Sequence, residues 1–186
     1  MSDAMTLDGI SYTFPLGDKT TVMVGDSTDV SALYSTSCVY SAFTDLLSNC
    51  GSGTAAGLGG GSDFTASPNS SSSATVAAAY DFGNGFTFAG GLSGAGGDTD
   101  GLFTKESADV FGVQAAYNTD SYGVSVSYAS TDLTTTTEST FWGINGFYAF
   151  EGTGLPSISV GYESEDPETT ACLLYTSDAA DDLYRV

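Results

Sequence analysis

The sequence predicts an all-β chain of antiparallel, up-and-down strands, and three observations predict it. Apolar side chains recur every second residue over segments of about eight to eleven residues. Glycine- and Asn-bearing turns punctuate those segments. No apolar run approaches the roughly 18 residues that a membrane helix needs.

Taken in order, Ile10, Tyr12 and Phe14 alternate with Ser11 and Thr13, which makes a first strand. Val22 and Val24 recur two apart before Gly25 and Asp26 and make a second, less regular one. Val76, Ala78, Tyr80 and Phe82 form a third, and Phe86, Phe88 and Leu92 the less regular fourth. Phe111, Val113, Ala115 and Tyr117 alternate with Gly112, Gln114 and Ala116 in a fifth. Tyr122, Val124, Val126 and Tyr128 alternate with Gly123, Ser125 and Ser127 in a sixth. Trp142, Ile144, Tyr148 and Phe150 share one parity in a seventh, as do Ile158, Val160 and Tyr162 in an eighth.

The links carry as much information as the strands. Gly17-Asp18-Lys19, Gly83-Asn84-Gly85, Asn118-Thr119-Asp120-Ser121 and Glu151-Gly152-Thr153-Gly154 read as tight hairpin turns. Between them lie longer links, Ser27 to Ser72, Ala95 to Ser107 and Thr131 to Glu138. Strict alternation of short and long links is the layout of a transmembrane barrel, with tight turns on one rim and long loops on the other. A soluble β-sandwich has no reason to obey it.

Composition narrows the function. The 186 residues hold 23 Asp plus Glu, 3 Lys plus Arg and no His, for a net charge of −20. A phosphate backbone has nothing to bind here, so nucleic acid is excluded as a partner, and anionic lipid surfaces are disfavoured. Without His, triads of the Ser-His-Asp or Cys-His kind cannot form. Charged residues total 14 %, against about a quarter in soluble domains, and they are confined to the links. A charge facing lipid near the midplane costs roughly 2–4 kcal/mol, which accounts for that confinement. The polar parity of the strands is Ser, Gly, Ala, Thr and Gln, without the Lys and Glu that decorate a soluble sheet. Aromatic residues gather at strand ends, where Tyr and Trp suit a membrane interface. The expected architecture is a partial transmembrane β-barrel, with apolar side chains toward lipid and small hydroxylic ones toward water. The rival reading packs the same aromatics in a soluble β-core.

Candidate chemistry is sparse. Cys38 and Cys50 share the longest link with eleven residues between them. In an exported chain they read as a disulfide worth about 2–3 kcal/mol, or else as two unpaired loop thiols. Asp98-Thr99-Asp100-Gly101 faintly resembles a calcium loop but lacks further ligands at the required spacing, so a solvated acidic loop is the plainer reading. Glu163, Glu165, Asp166 and Glu168 make an acidic run at a strand's loop end. Acids gathered on one rim are expected to draw cations, and anion preference at neutral pH would refute that. No catalytic residue, metal site or cofactor is expected. Met1 to Thr6 has neither the basic start nor the apolar core of a signal peptide, so an export signal is expected upstream. The segment from Cys172 to Asp181 resembles, codon by codon, the translation of a transposon-derived sequencing adapter. Residues 172–186 are therefore read as adapter-derived tail and set apart from the barrel segment, 1–171; a natural acidic tail is the rival.

Four segments carry a family resemblance: Asp8 to Pro15, Tyr80 to Phe86, Tyr122 to Tyr128 and Leu155 to Glu163. Together they resemble the barrel of cyanobacterial outer-membrane porins of the marine picocyanobacterial kind, related to carbohydrate-selective porins. The resemblance implies an outer-membrane location and a barrel of about sixteen strands, of which these eight are part. It further implies a wall-binding surface-layer-homology domain ahead of the barrel and homotrimers. The implied function is passive passage of small hydrophilic solutes and inorganic ions, iron included, with outer-membrane lipid as the surrounding partner. It supplies no catalytic residue; Lys105, Asp98, Asp100, Glu163, Glu165 and Asp166 become candidate pore or loop liners. Two readings from other classes stand beside it: a secreted acidic adhesin or surface-layer protein, and a small closed eight-stranded barrel that anchors rather than conducts.

Overall fold

The computed structural model describes residues 9–26, 28, 30–35, 73–95, 107–132, 138–150 and 158–167. These residues form eight strands, β1 (Ile10–Pro15), β2 (Thr20–Asp26), β3 (Ser73–Gly83), β4 (Phe86–Ala95), β5 (Asp109–Asn118), β6 (Tyr122–Asp132), β7 (Glu138–Tyr148) and β8 (Ile158–Pro167). All lie in one sheet, in the order of the sequence. Every neighbouring pair is antiparallel. The fold is thus the predicted all-β, up-and-down meander. It is not closed, since β1 and β8 each have one neighbour in the sheet.

Turn chemistry explains the hairpins. Gly83, Asn84 and Gly85 hold φ of 76°, 68° and 85°, a left-handed run that glycine and Asn tolerate and that matches the twist of the flanking strands. The ladder slips by one residue between Asp81 and Gly83 to accommodate it, and the Asp81 carboxylate accepts the Gly83 N–H at 2.7 Å. At the β5–β6 turn the Thr119 hydroxyl accepts the Tyr122 N–H at 3.0 Å. The first two turns are tied together, because Asp81 N–H donates to the Lys19 carbonyl at 2.8 Å and Lys19 Nζ donates to the Phe82 carbonyl at 3.1 Å.

The predicted alternation of link lengths holds for the first five links and reverses at the last two. The β6–β7 link, 133–137, is shorter than the β7–β8 link, 149–157. Thr131 pairs with Ser139 and Asp132 with Glu138, so Thr131, Asp132 and Glu138, expected in a loop, extend the ladder instead. Threonine is β-branched and fits a pleated surface well. Pro156 has no N–H to give a ladder, and β8 begins only after it.

Candidate functional site

The sheet has two unlike faces. One carries Tyr12, Val24, Val76, Tyr80, Phe86, Phe88, Phe111, Tyr122, Val124, Val126, Trp142, Ile144, Tyr148, Ile158, Val160 and Tyr162, all of them exposed. Near the strand midpoints Ile144 is 51 % exposed and Val126 40 %, so no second layer or helix among the described residues covers this face. Its aromatic residues are densest near the tight turns. Phe86, Tyr117 and Tyr122 form a chain near the tight turns, with centroids 4.5 and 5.9 Å apart, joined there by Tyr80–Phe82 and Tyr148–Phe150. Tyr128 and Trp142, 4.7 Å apart, stand beside the middle of β6 and β7, on the side away from those turns. Two shallow grooves interrupt this face. One, of about 560 Å³, lies over Ala78 and Gly90 between Tyr80, Phe88, Leu92 and Phe111. Another, of about 500 Å³, lies over Gly146.

Strands β3 to β8 are 10 or 11 residues long, within the length range of a tilted membrane strand. At about 3.3 Å per residue, β6 runs ~33 Å from Tyr122 to Asp132. A tilt of about 40° projects that to ~25 Å, the height of an outer-membrane apolar band. Acids of β2, β5, β6 and β7 stand at the ends of this span. Asp109 is opposite Asp132, and Asp132 is opposite Glu138, at the rim away from the tight turns. Asp26 ends β2 on that same rim, while Asp18 and Asp120 lie at the tight turns.

The other face is built from small side chains. Thr75, Ala77, Ala89, Ser93, Gln114, Ala116, Ser125, Ser127, Ala129, Asn145 and Ser159 are all buried. The expectation was that these hydroxylic residues meet water. They are instead covered, and part of the cover is the segment Val30–Ser35 from the long link after β2. Val30 and Tyr34 pack in one cluster with Ala89, Ala95, Ala108, Val110 and Ala129. Gly91 permits the crossing, since a Cβ there would stand 2.7 Å from the Val30 carbonyl oxygen and 3.1 Å from its Cα. Polar contacts fasten both ends of the crossing. Thr75 Oγ1 donates to the Thr28 carbonyl at 2.9 Å and shares a 2.9 Å hydrogen bond with Ser93 Oγ. Ser35 N–H donates to Gln114 Oε1 at 2.7 Å, and Asn118 Nδ2 donates to Ser35 Oγ at 2.7 Å. Among the described residues the Tyr34 hydroxyl has no hydrogen-bond partner, and burial holds it well above the ordinary tyrosine pKa.

Of the residues singled out in the sequence, Cys38, Cys50, Asp98, Asp100, Lys105 and the tail 172–186 lie outside the described residues. Glu163, Glu165 and Asp166 fall within β8, opposite Gly143, Phe141 and Thr140. Glu163 is therefore a mid-strand position and not a loop end. Sequence reasoning missed Gln114, Asn118, Tyr34 and Gly91 as parts of a site. One signal was there: Gln114 and Asn118 are amides four residues apart on one parity of β5, among Gly and Ala. Among the described residues no His, Cys, Asp or Glu group could hold a metal ion, and no helix is long and apolar enough to cross a membrane.

No family model matches the chain, and neither a curated protein nor a solved structure does.

Proposed function

We propose that the chain is part of an outer-membrane β-barrel porin, passing small hydrophilic solutes and inorganic ions by diffusion and preferring cations. The observation that carries this reading is the orientation of the sheet. Apolar and aromatic side chains face outward unprotected over a membrane's thickness, while the small polar side chains face the covered side. Exposed apolar surface of this extent is costly in water and suited to hydrocarbon. The aromatic cluster at the tight turns supports the same reading, since rings with polar tips favour the edge of an apolar band. Acids on the rims support cation preference, because their summed potential raises the local cation concentration.

One observation favours a second reading. Burial of the small-residue face is also the state of a small eight-stranded barrel, whose interior side chains fill it and leave no passage. In that case the protein anchors in the membrane without conducting.

Trp142, the single tryptophan, tests the membrane seat. In vesicles its fluorescence is expected to be quenched by lipids brominated on their acyl chains and spared by aqueous iodide. Quenching by iodide alone would overturn the reading. Ion current through the closed barrel of which this chain would be part separates porin from anchor, and a reversal potential favouring anions would overturn the cation preference.

A further inference from the structure

We propose that Gln114 and Asn118 form a latch that holds the Val30–Ser35 segment against the small-residue face of the sheet. Ser35 is the point of attachment. Its N–H donates to Gln114 Oε1 and its Oγ accepts from Asn118 Nδ2, both at 2.7 Å. These contacts bridge 79 and 83 residues of sequence, so they join a link to a distant strand and do not belong to a local turn. Gln114 is 2 % exposed, and its Nε2 donates to Ser127 Oγ at 3.4 Å. One amide therefore ties the segment to β5 and, through Ser127, to β6. Gln114 and Asn118 stand four residues apart on an extended strand, one parity throughout, so both reach the same side. A buried acceptor of this kind is costly to leave without its donor, which gives the segment one preferred seat instead of many. The Gly91 crossing places the other end of the segment over β4.

The consequence for permeation rests on the porin reading: a segment latched here occupies the passage side of the wall and narrows it. The latch itself does not rest on that reading. Amide hydrogen exchange on the full chain in detergent micelles reads it directly. The Ser35 amide is expected to be protected, and Gln114→Met, which fills the same space without a strong acceptor, is expected to speed its exchange about tenfold. Amides of Val113 and Ala115 in β5 should keep their protection and so report an intact sheet. Asn118→Ala, which leaves Gln114 in place, is expected to speed Ser35 exchange by a smaller factor. An unprotected Ser35 amide in the parent chain, or exchange unmoved by both substitutions, would overturn the latch. Trp142 quenching decides the membrane seat separately, so failure of either idea is told apart from failure of the other.

Discussion

Tyr128 and Trp142 sit opposite each other across β6 and β7, ring centroids 4.7 Å apart, and Tyr122 and Tyr148 form the pair at the far end of the same two strands. Between these pairs lie Val124, Val126, Ile144 and Gly146, without a charge. Ile144 lies beside the midpoint of β7 and so marks the middle of the span. Ile144→Arg places a guanidinium midway and is expected to destabilise the chain in lipid by about 2–4 kcal/mol, against about 0–1 for the same residue at Ser130 near the rim. Urea titrations in vesicles check this. Equal costs at both positions would contradict a lipid-facing surface.

Gly91 and the Val30 backbone define a second test. A methyl at residue 91 would press on backbone atoms that cannot swing aside. Gly91→Ala is expected to lift the segment and cost about 1–3 kcal/mol through overpacking. Gly90 faces the other side of β4, and a methyl there meets first a Val113 side-chain carbon at 3.1 Å. Gly90→Ala should therefore leave the Val30–Ser35 segment in place, as chemical shifts of Val30 would reveal.

Tyr34 makes stability fall in alkali. Its pKa is raised from the ordinary 10.0 because burial penalises the phenolate. The stabilisation this represents is full below pH 10 and is lost progressively as pH rises above it. Tyr34→Phe is expected to flatten that alkaline decline. At neutral pH the same substitution removes a hydroxyl with no partner among the described residues and should be neutral or stabilising by up to about 1 kcal/mol. Denaturant midpoints at pH 7 and pH 11 give the comparison, and a markedly destabilised Tyr34→Phe at pH 7 would show that the hydroxyl is engaged.

The outer edges of β1 and β8 predict the behaviour of this chain by itself. Among the described residues each leaves a row of backbone N–H and C=O groups without a partner strand, which hydrocarbon does not tolerate. In planar bilayers the isolated 186-residue chain is expected to give no steady unitary conductance, and in micelles to associate through its edges. Stable, uniform current steps from the isolated chain would refute this.

Much of the sheet was legible because a strand writes its own parity. Tyr122 to Tyr128 alternates cleanly, and the Asn84-Gly85 turn announces its backbone through residue type alone. The last two links were misjudged because Ser and Thr serve loops and strands alike, so composition around Thr131 and Ser139 could not separate them. The seat of Val30–Ser35 was not legible at all. It depends on Ser35 meeting Gln114 across 79 residues, and such a contact leaves no periodic trace in either segment.

Strict sequence order in the sheet has a consequence for how such a wall can change size. Ile10 at the start of β1 and Pro167 at the end of β8 lie at the same rim, since Ile10 pairs with Asp26 and Pro167 with Ser139. Insertion or loss of one whole hairpin between any two strands would preserve every other pairing and keep each surviving turn on its own side. A single added strand would send all that follows through the wall in reverse. Growth by twos is thus the cheap route to a wider or narrower enclosure, and odd steps are penalised by geometry alone.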